Sequence, residues 1–307
     1  MSEGEGQDPF ASGRPVLLDG GVGSELRRRG AGADPESWLG HAIVAAPELL
    51  EAVHADYTAA GSTWATAATF SATPLRLSND ASWRRCVDLA VGAARRGGPG
   101  RVAGALSTVP PSFDAGRWPG GDVERAAFDE LVAALLAAGI DALALEMIQD
   151  SEHGGAALEA AAAGTRAAGI PLWLGVCARR TSKGLGCFDF PERDFSRVLA
   201  ELLARQRPDA VVLMHTPLDA VLPALAAIRA HWDGPLAVRP ELPYPEDGTS
   251  TEPTAPGILA DALAGWPVAD LAAVGGCCGT RPDQIAALAA GLDRARATAL
   301  VKRRGSV

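Results

Sequence analysis

Eight short β-leaning runs alternate with segments of helical periodicity along this chain of 307 residues. The runs fall at residues 15–19, 63–69, 101–107, 142–146, 172–178, 210–215, 236–239 and 271–275. Among the intervening segments, residues 122–138 carry Ala126, Phe128, Leu131, Val132, Leu135 and Leu136 as one apolar stripe. Residues 281–298 open on Pro282 and Asp283 and place Ile285, Leu288, Leu292 and Ala295 on one face. Further helices are expected at 150–168, 192–205 and 218–232, with Gly139 and Gly169 supplying the positive φ that stops a helix.

Strand and helix alternating eight times imply a parallel sheet, and the expected fold class is α/β, a single (β/α)8 TIM-type barrel. A doubly wound open sheet also alternates, but it rarely needs eight units. The Gly20-Gly21-Val22-Gly23 run after the first strand also lacks the spacing of a dinucleotide fingerprint. The barrel is expected over residues 15–298, after a disordered lead at 1–14 and before a C-terminal tail at 299–307. Excursions from the rhythm are expected at 79–84, 110–121, 179–194 and 240–256.

The bulk properties exclude several classes of function. A net charge of −9 argues against nucleic acid or an anionic membrane as partner. No apolar run approaches the ~20 residues of a membrane span. The opening Met-Ser-Glu-Gly-Glu-Gly has neither the basic nor the apolar region of a signal peptide. Five cysteines, two of them adjacent, read as reduced thiols in a cytoplasm rather than as a disulfide framework. The expected state is a monomer or a small homo-oligomer that handles small molecules.

Barrels of this kind place their chemistry where strands end and βα loops begin. The first run ends on Asp19-Gly20-Gly21, the fourth on Glu146, the sixth on His215 and the eighth on Cys277-Cys278 between glycines. Two thiols and one imidazole give three ligands suited to zinc, leaving the open fourth position of a catalytic site. The alternative is two small residues packing a tight turn. Cys177 reads as a core thiol and Cys86 as helix core, while Cys187 can reach the rim as a substitute ligand. His54 and Tyr57 read as structural, and His41, His153 and His231 carry no signal.

The segment Gly275-Gly276-Cys277-Cys278-Gly279-Thr280-Arg281-Pro282 resembles the C-terminal metal motif of the homocysteine S-methyltransferase family. Residues 17–26 (LLDGGVGSEL) are similar to its first-strand signature, and residues 47–70 follow its second-unit pattern. The resemblance runs from about Pro15 to Leu292. It implies a barrel that binds Zn2+, moves a methyl group from S-methylmethionine or S-adenosylmethionine to a small thiol such as homocysteine, and serves methionine biosynthesis. It also implies that Asp19 and Glu146 hold the acceptor's amino group, beside Gly20 and Gly21 in the substrate site. Nothing resembling a cobalamin or folate module is appended to the barrel.

The chain also departs from that family. A third cysteine is usual at the end of strand six, where Met214-His215 stands here; His215 then serves as the third ligand, or as a base or substrate contact. Ala68, Ser107, Met147 and Glu241 differ from the usual residues at their strand ends. The departures gather at the rim, where substrate is read. Two alternatives to homocysteine methylation therefore stay open: a member specialised for another thiol or selenol in secondary metabolism, and a non-catalytic zinc-binding barrel.

Overall fold

The computed structural model describes residues 15–33, 38–77, 80–108, 118–244 and 254–304. Its main sheet contains β1 (Val16–Leu17), β2 (Ala65–Ala67), β3 (Val102–Ser107), β4 (Ala142–Ile148), β5 (Leu172–Val176), β8 (Ala210–Pro217), β9 (Leu236–Glu241) and β10 (Ala273–Val274). An antiparallel hairpin, β6 (Ala178–Thr181) and β7 (Gly184–Cys187), is inserted after β5. The helices are α1 (Val22–Arg28), α2 (Gly40–Ala45), α3 (Pro47–Ala59), α4 (Asp80–Gly97) and α5 (Gly121–Ala137). After these come α6 (His153–Ala168), α7 (Phe195–Arg205), α8 (Leu218–Arg229), α9 (Ile258–Leu263) and α10 (Pro282–Arg304).

All eight strands of the main sheet run parallel, in the order β1-β10-β9-β8-β5-β4-β3-β2. The sheet curls until its outer strands meet. The Thr63 N–H donates to the Leu17 carbonyl at 2.9 Å, and the Asp19 carboxylate accepts from the Thr66 N–H and hydroxyl across the same seam. The α/β barrel expected from the alternation is the observed fold, and each of the eight expected runs contains a strand.

Strand residues alternate between two environments. Leu143, Leu145, Leu174, Val211, Leu213 and Val238 belong to the large cluster shared with the helices. Ala103, Ala142, Ala144, Ala210, Ala237 and Ala273 belong to a second, inner cluster. Small residues line that interior because Trp64 and Trp173 fill it, edge to face with ring centroids 4.9 Å apart. Met214 and Cys277 complete the inner cluster, so the floor beneath the thiols is packed rather than open.

Several expected boundaries move. Residues 80–84 lie in α4 rather than in a loop, because Trp83, Cys86, Val87, Ala90 and Ala94 recur at helical spacing and are all buried. The excursion expected at 179–194 is ordered as the β6–β7 hairpin. Helix α10 runs through Arg304, beyond the end expected at residue 298. The lead at 1–14 lies outside the described residues, as does most of 110–121 and 240–256.

His54 on α3 is buried, and neither ring nitrogen has a hydrogen-bond partner among the described residues. Burial pulls its pKa down to about 4. The unfolded chain therefore takes up this proton near pH 6.5 while the folded chain refuses it until about 4. Stability from this residue is complete above 6.5 and is lost as the pH falls through that window, by roughly 3 kcal/mol in all. We expect His54→Leu to flatten the pH dependence of denaturant midpoints between pH 7 and 4. An unchanged slope would clear His54 of this role.

Candidate metal centre

Two of the strand ends contribute through a local distortion. The ladder slips between Leu145 and Ile148 in β4, and between Met214 and Pro217 in β8. Within these slips Met147 and His215 take φ of 55° and 43°, a region that costs non-glycine residues on the order of 1–2 kcal/mol each. The Met147 N–H donates to the Met214 sulfur at 3.4 Å, which ties the two bulges together. The β8 bulge is held by the buried Thr216 hydroxyl, which donates to the Met214 carbonyl and accepts from the Ala178 N–H.

The loop after β10 is shaped by close approach. A Cβ on Gly21 would come within 2.6 Å of the Cys277 carbonyl oxygen, so Gly21 lets the first βα turn press against the cysteine pair. Gly279, at φ +76°, turns the chain after Cys278. Backbone bonds from Gly276 to Asp19 and from Gly21 to Thr280 lock the two loops together. Tyr57 adds a hydroxyl bond to the Thr280 carbonyl at 2.7 Å.

His215, Cys277 and Cys278 are the one His/Cys/Asp/Glu group among the described residues that could hold a metal ion, with ligand atoms all within 4.8 Å of one another. The His215 Nδ1 lies 3.7 Å from the Cys277 sulfur, and its Nε2 faces Glu241 Oε2 at 3.3 Å. Phe188, from the segment after β7, sets its ring edge-on to His215 at 4.4 Å. A hydrogen bond from the Cys278 thiol, joined by His215 and Arg239, holds Cys277 well below the usual thiol range against the effect of burial. Cys278 is pushed up by that same bond and by burial. Burial opposes charge on His215, but Cys277, Glu241 and Asp189 outweigh it and lift the ring to about 9. Two thiols and an imidazole from two strands suit a thiophilic metal, and the glycine-bounded turn lets both sulfurs approach the ring.

A second charged cluster adjoins the first. Arg239, 6% exposed, donates from Nη2 to Asp19 Oδ1 at 2.9 Å and from Nη1 to Glu146 Oε1 at 3.3 Å. Its Nε donates to the Gly276 carbonyl at 3.0 Å. Asp19 has no exposed surface, and both its oxygens are already bound by Thr66 and Arg239. Burial pushes the Asp19 carboxyl up, with Arg239 and Thr66 pulling it back. Burial likewise lifts Glu146 to about 7. The guanidinium keeps its proton throughout.

The structure thus brings together His215, Cys277 and Cys278, and sets Asp19 and Glu146 on a common cation beside them. Gly20 and Gly21 pack against Tyr57 and the cysteine turn. Cys187 does not join the group: it sits in the apolar core, and burial pushes its thiol up to about 12. Cys177 and Cys86 are core thiols. Reading the sequence set Glu241 at the rim as a departure from the family but missed Arg239 as a member of the site. The available signal was a charged residue following three apolar ones in Leu236-Ala237-Val238-Arg239, where packing alone gives no reason for an arginine.

A family model described as homocysteine S-methyltransferase matches residues 16–292. The chain is 29% identical to the homocysteine S-methyltransferase of Escherichia coli over 308 residues, covering 90% of this chain and 94% of the relative. It is 26% identical to a homocysteine S-methyltransferase of Bacillus subtilis, covering 90% and 93% of the two chains. Among solved structures it is similar to the metallated form of the homocysteine methyltransferase MmuM from Escherichia coli. That match has a TM-score of 0.71 and 27% identity, and covers 92% of this chain and 99% of the other.

Proposed function

The chain belongs to the homocysteine S-methyltransferase family, and on that premise we propose that it moves a methyl group from a sulfonium donor to the sulfur of a small thiol of the homocysteine class. The observation that carries this reading is the grouping of His215, Cys277 and Cys278 at the barrel mouth. Zinc is the metal we assign to it, since two thiolates and one imidazole match a catalytic zinc set with one position left open. A zinc ion there supplies the Lewis acidity that keeps a coordinated thiol deprotonated near neutral pH. Cys277 and Cys278 give that ion two negative charges and His215 none, so the centre is less anionic than one built from three cysteines.

The transfer itself asks little more of the protein. The acceptor's thiolate forms the new sulfur–carbon bond as the donor's sulfonium–carbon bond breaks, and the donor leaves as a neutral thioether. No group has to protonate the leaving atom. The chain's residues instead position and exclude: Phe188 covers His215 on one side, and the packed floor of Met214 and Trp173 keeps water from the underside. S-methylmethionine and S-adenosylmethionine are the donors to test. Zinc-loaded protein given homocysteine and either donor should yield methionine by mass spectrometry. No methionine from either donor, with zinc bound, would contradict homocysteine as acceptor.

Glu241 orients the imidazole in this reading. With Nε2–H directed to its carboxylate, His215 presents Nδ1 toward Cys277. Carboxylate partners of this kind tune metal affinity by about 10–100-fold. We expect Glu241→Gln to weaken zinc binding within that range in competition with a chromophoric chelator. Unaltered affinity would remove Glu241 from the arrangement.

Among the described residues no helix is long and apolar enough to cross a membrane. Every cysteine is free, and we place the protein in a reducing cytoplasm, acting on small molecules.

A further inference from the structure

An unpaired hydroxyl at the barrel mouth bears on how the acceptor is held, an inference that rests on the methyl-acceptor reading above. Ser107 ends β3 and pairs in register with Glu146 of β4. Ala103 on β3 and Ala142 and Ala144 on β4 belong to the inner cluster, so strand alternation turns Ser107 and Glu146 toward the same interior. Ser107 is buried, yet its hydroxyl has no hydrogen-bond partner among the described residues. Such a hydroxyl costs stability unless a ligand or an ordered water completes it. Beside it, Glu146 Oε1 accepts from Arg239, and 11% of the Glu146 side chain stays accessible. Asp19, Glu146 and Arg239 together set two carboxylates against one guanidinium, which leaves one negative charge over. Arg239 also bonds the carbonyl of Gly276, the residue before Cys277, so this charge lies next to the thiols.

We propose that Ser107 is a specificity-determining residue for the acceptor: its hydroxyl accepts one N–H of an amino-acid thiol's ammonium while Glu146 Oε2 accepts another. An ammonium has three N–H donors, more than one carboxylate oxygen satisfies. The hydroxyl supplies a further acceptor without adding charge to a crowded cluster, and the surplus negative charge favours the ammonium over a neutral group. Ser107 is also a position at which the chain departs from the family pattern, so this contact belongs to this chain's own way of holding the acceptor.

The test compares two thiols that differ by the amino group alone, L-homocysteine and 4-mercaptobutyrate, on the wild-type protein and on Ser107→Ala. With cobalt(II) in place of zinc, the sulfur-to-metal absorption grows when a thiol joins the metal, which reports binding without turnover. The wild-type protein should bind homocysteine the more tightly of the two. Ser107→Ala should weaken homocysteine by about ten- to a hundredfold, the worth of a hydrogen bond to a charged group, and leave 4-mercaptobutyrate unchanged. Unaltered homocysteine affinity, or an equal loss for both thiols, would overturn the proposal while leaving the methyl-acceptor reading intact. No absorption change with either thiol on the wild-type protein would contradict that reading and the proposal with it. A second readout separates a binding role from a structural one. Without thiol, the denaturant midpoint of Ser107→Ala should equal or exceed that of the wild type, because no bond inside the protein is lost. A lower midpoint would show that the hydroxyl is already satisfied within the fold, and would also overturn the proposal.

Discussion

Replacing either Cys277 or Cys278 by serine should strip the protein of its metal and of methyl transfer together. Each substitution removes one of three ligands, and a hydroxyl is neither soft enough nor acidic enough to replace a thiolate at a zinc site. Without the ion a thiol with a pKa near 8.5 is only roughly 3% thiolate at pH 7. That loss is about thirtyfold, and loss of the fixed position for the sulfur adds to it. We expect transfer to fall by at least roughly a thousandfold in each variant. Serine is nearly isosteric and both residues lie on a turn, so the fold should survive, and unchanged circular dichroism is the control. Full metal content in both serine variants would remove the site.

The second large effect is on stability. Arg239→Met should destabilise the fold by roughly 3–5 kcal/mol, because it leaves Asp19 and Glu146 buried without their shared counter-charge. Methionine is of similar length, so packing alone would cost under about 1.5 kcal/mol. The two explanations therefore differ by more than the error of a denaturant titration. Adding Asp19→Asn to Arg239→Met should recover part of the loss, since one stranded charge is gone. A loss below about 1 kcal/mol, or no recovery in the double variant, would show that the ion pairs carry little of the stability here.

How much of this was legible beforehand varied with the distance over which each feature is decided. The strands at 142–146 and 210–215 could be read because parallel barrel strands are apolar on both faces and stand out from the amphipathic helices around them. Their bulged ends could not be read: nothing local announces that Met147 and His215 take positive φ, which is set by the packing of Met214 against β4. The β6–β7 hairpin was hidden by its polar run Arg179-Arg180-Thr181-Ser182-Lys183, which looks like a loop and pairs only with its own return strand. His215, Cys277 and Cys278 were legible because residues of metal-binding type at strand ends have few packing reasons to be there. The charged cluster was not, since Arg239 meets partners 220 and 93 positions away. A residue pattern shows that such an arginine needs partners but not which carboxylates supply them. The same cluster gives Asp19 a partner inside the protein, Arg239.

Zinc K-edge X-ray absorption of the loaded protein, before and after addition of the acceptor thiol, tests the central assignment most directly. The first shell should contain two sulfurs at about 2.3 Å and an imidazole nitrogen at about 2.0–2.1 Å. It should gain a third sulfur when the thiol is added. A shell without sulfur, or one that stays at two sulfurs in the presence of saturating thiol, would contradict the account.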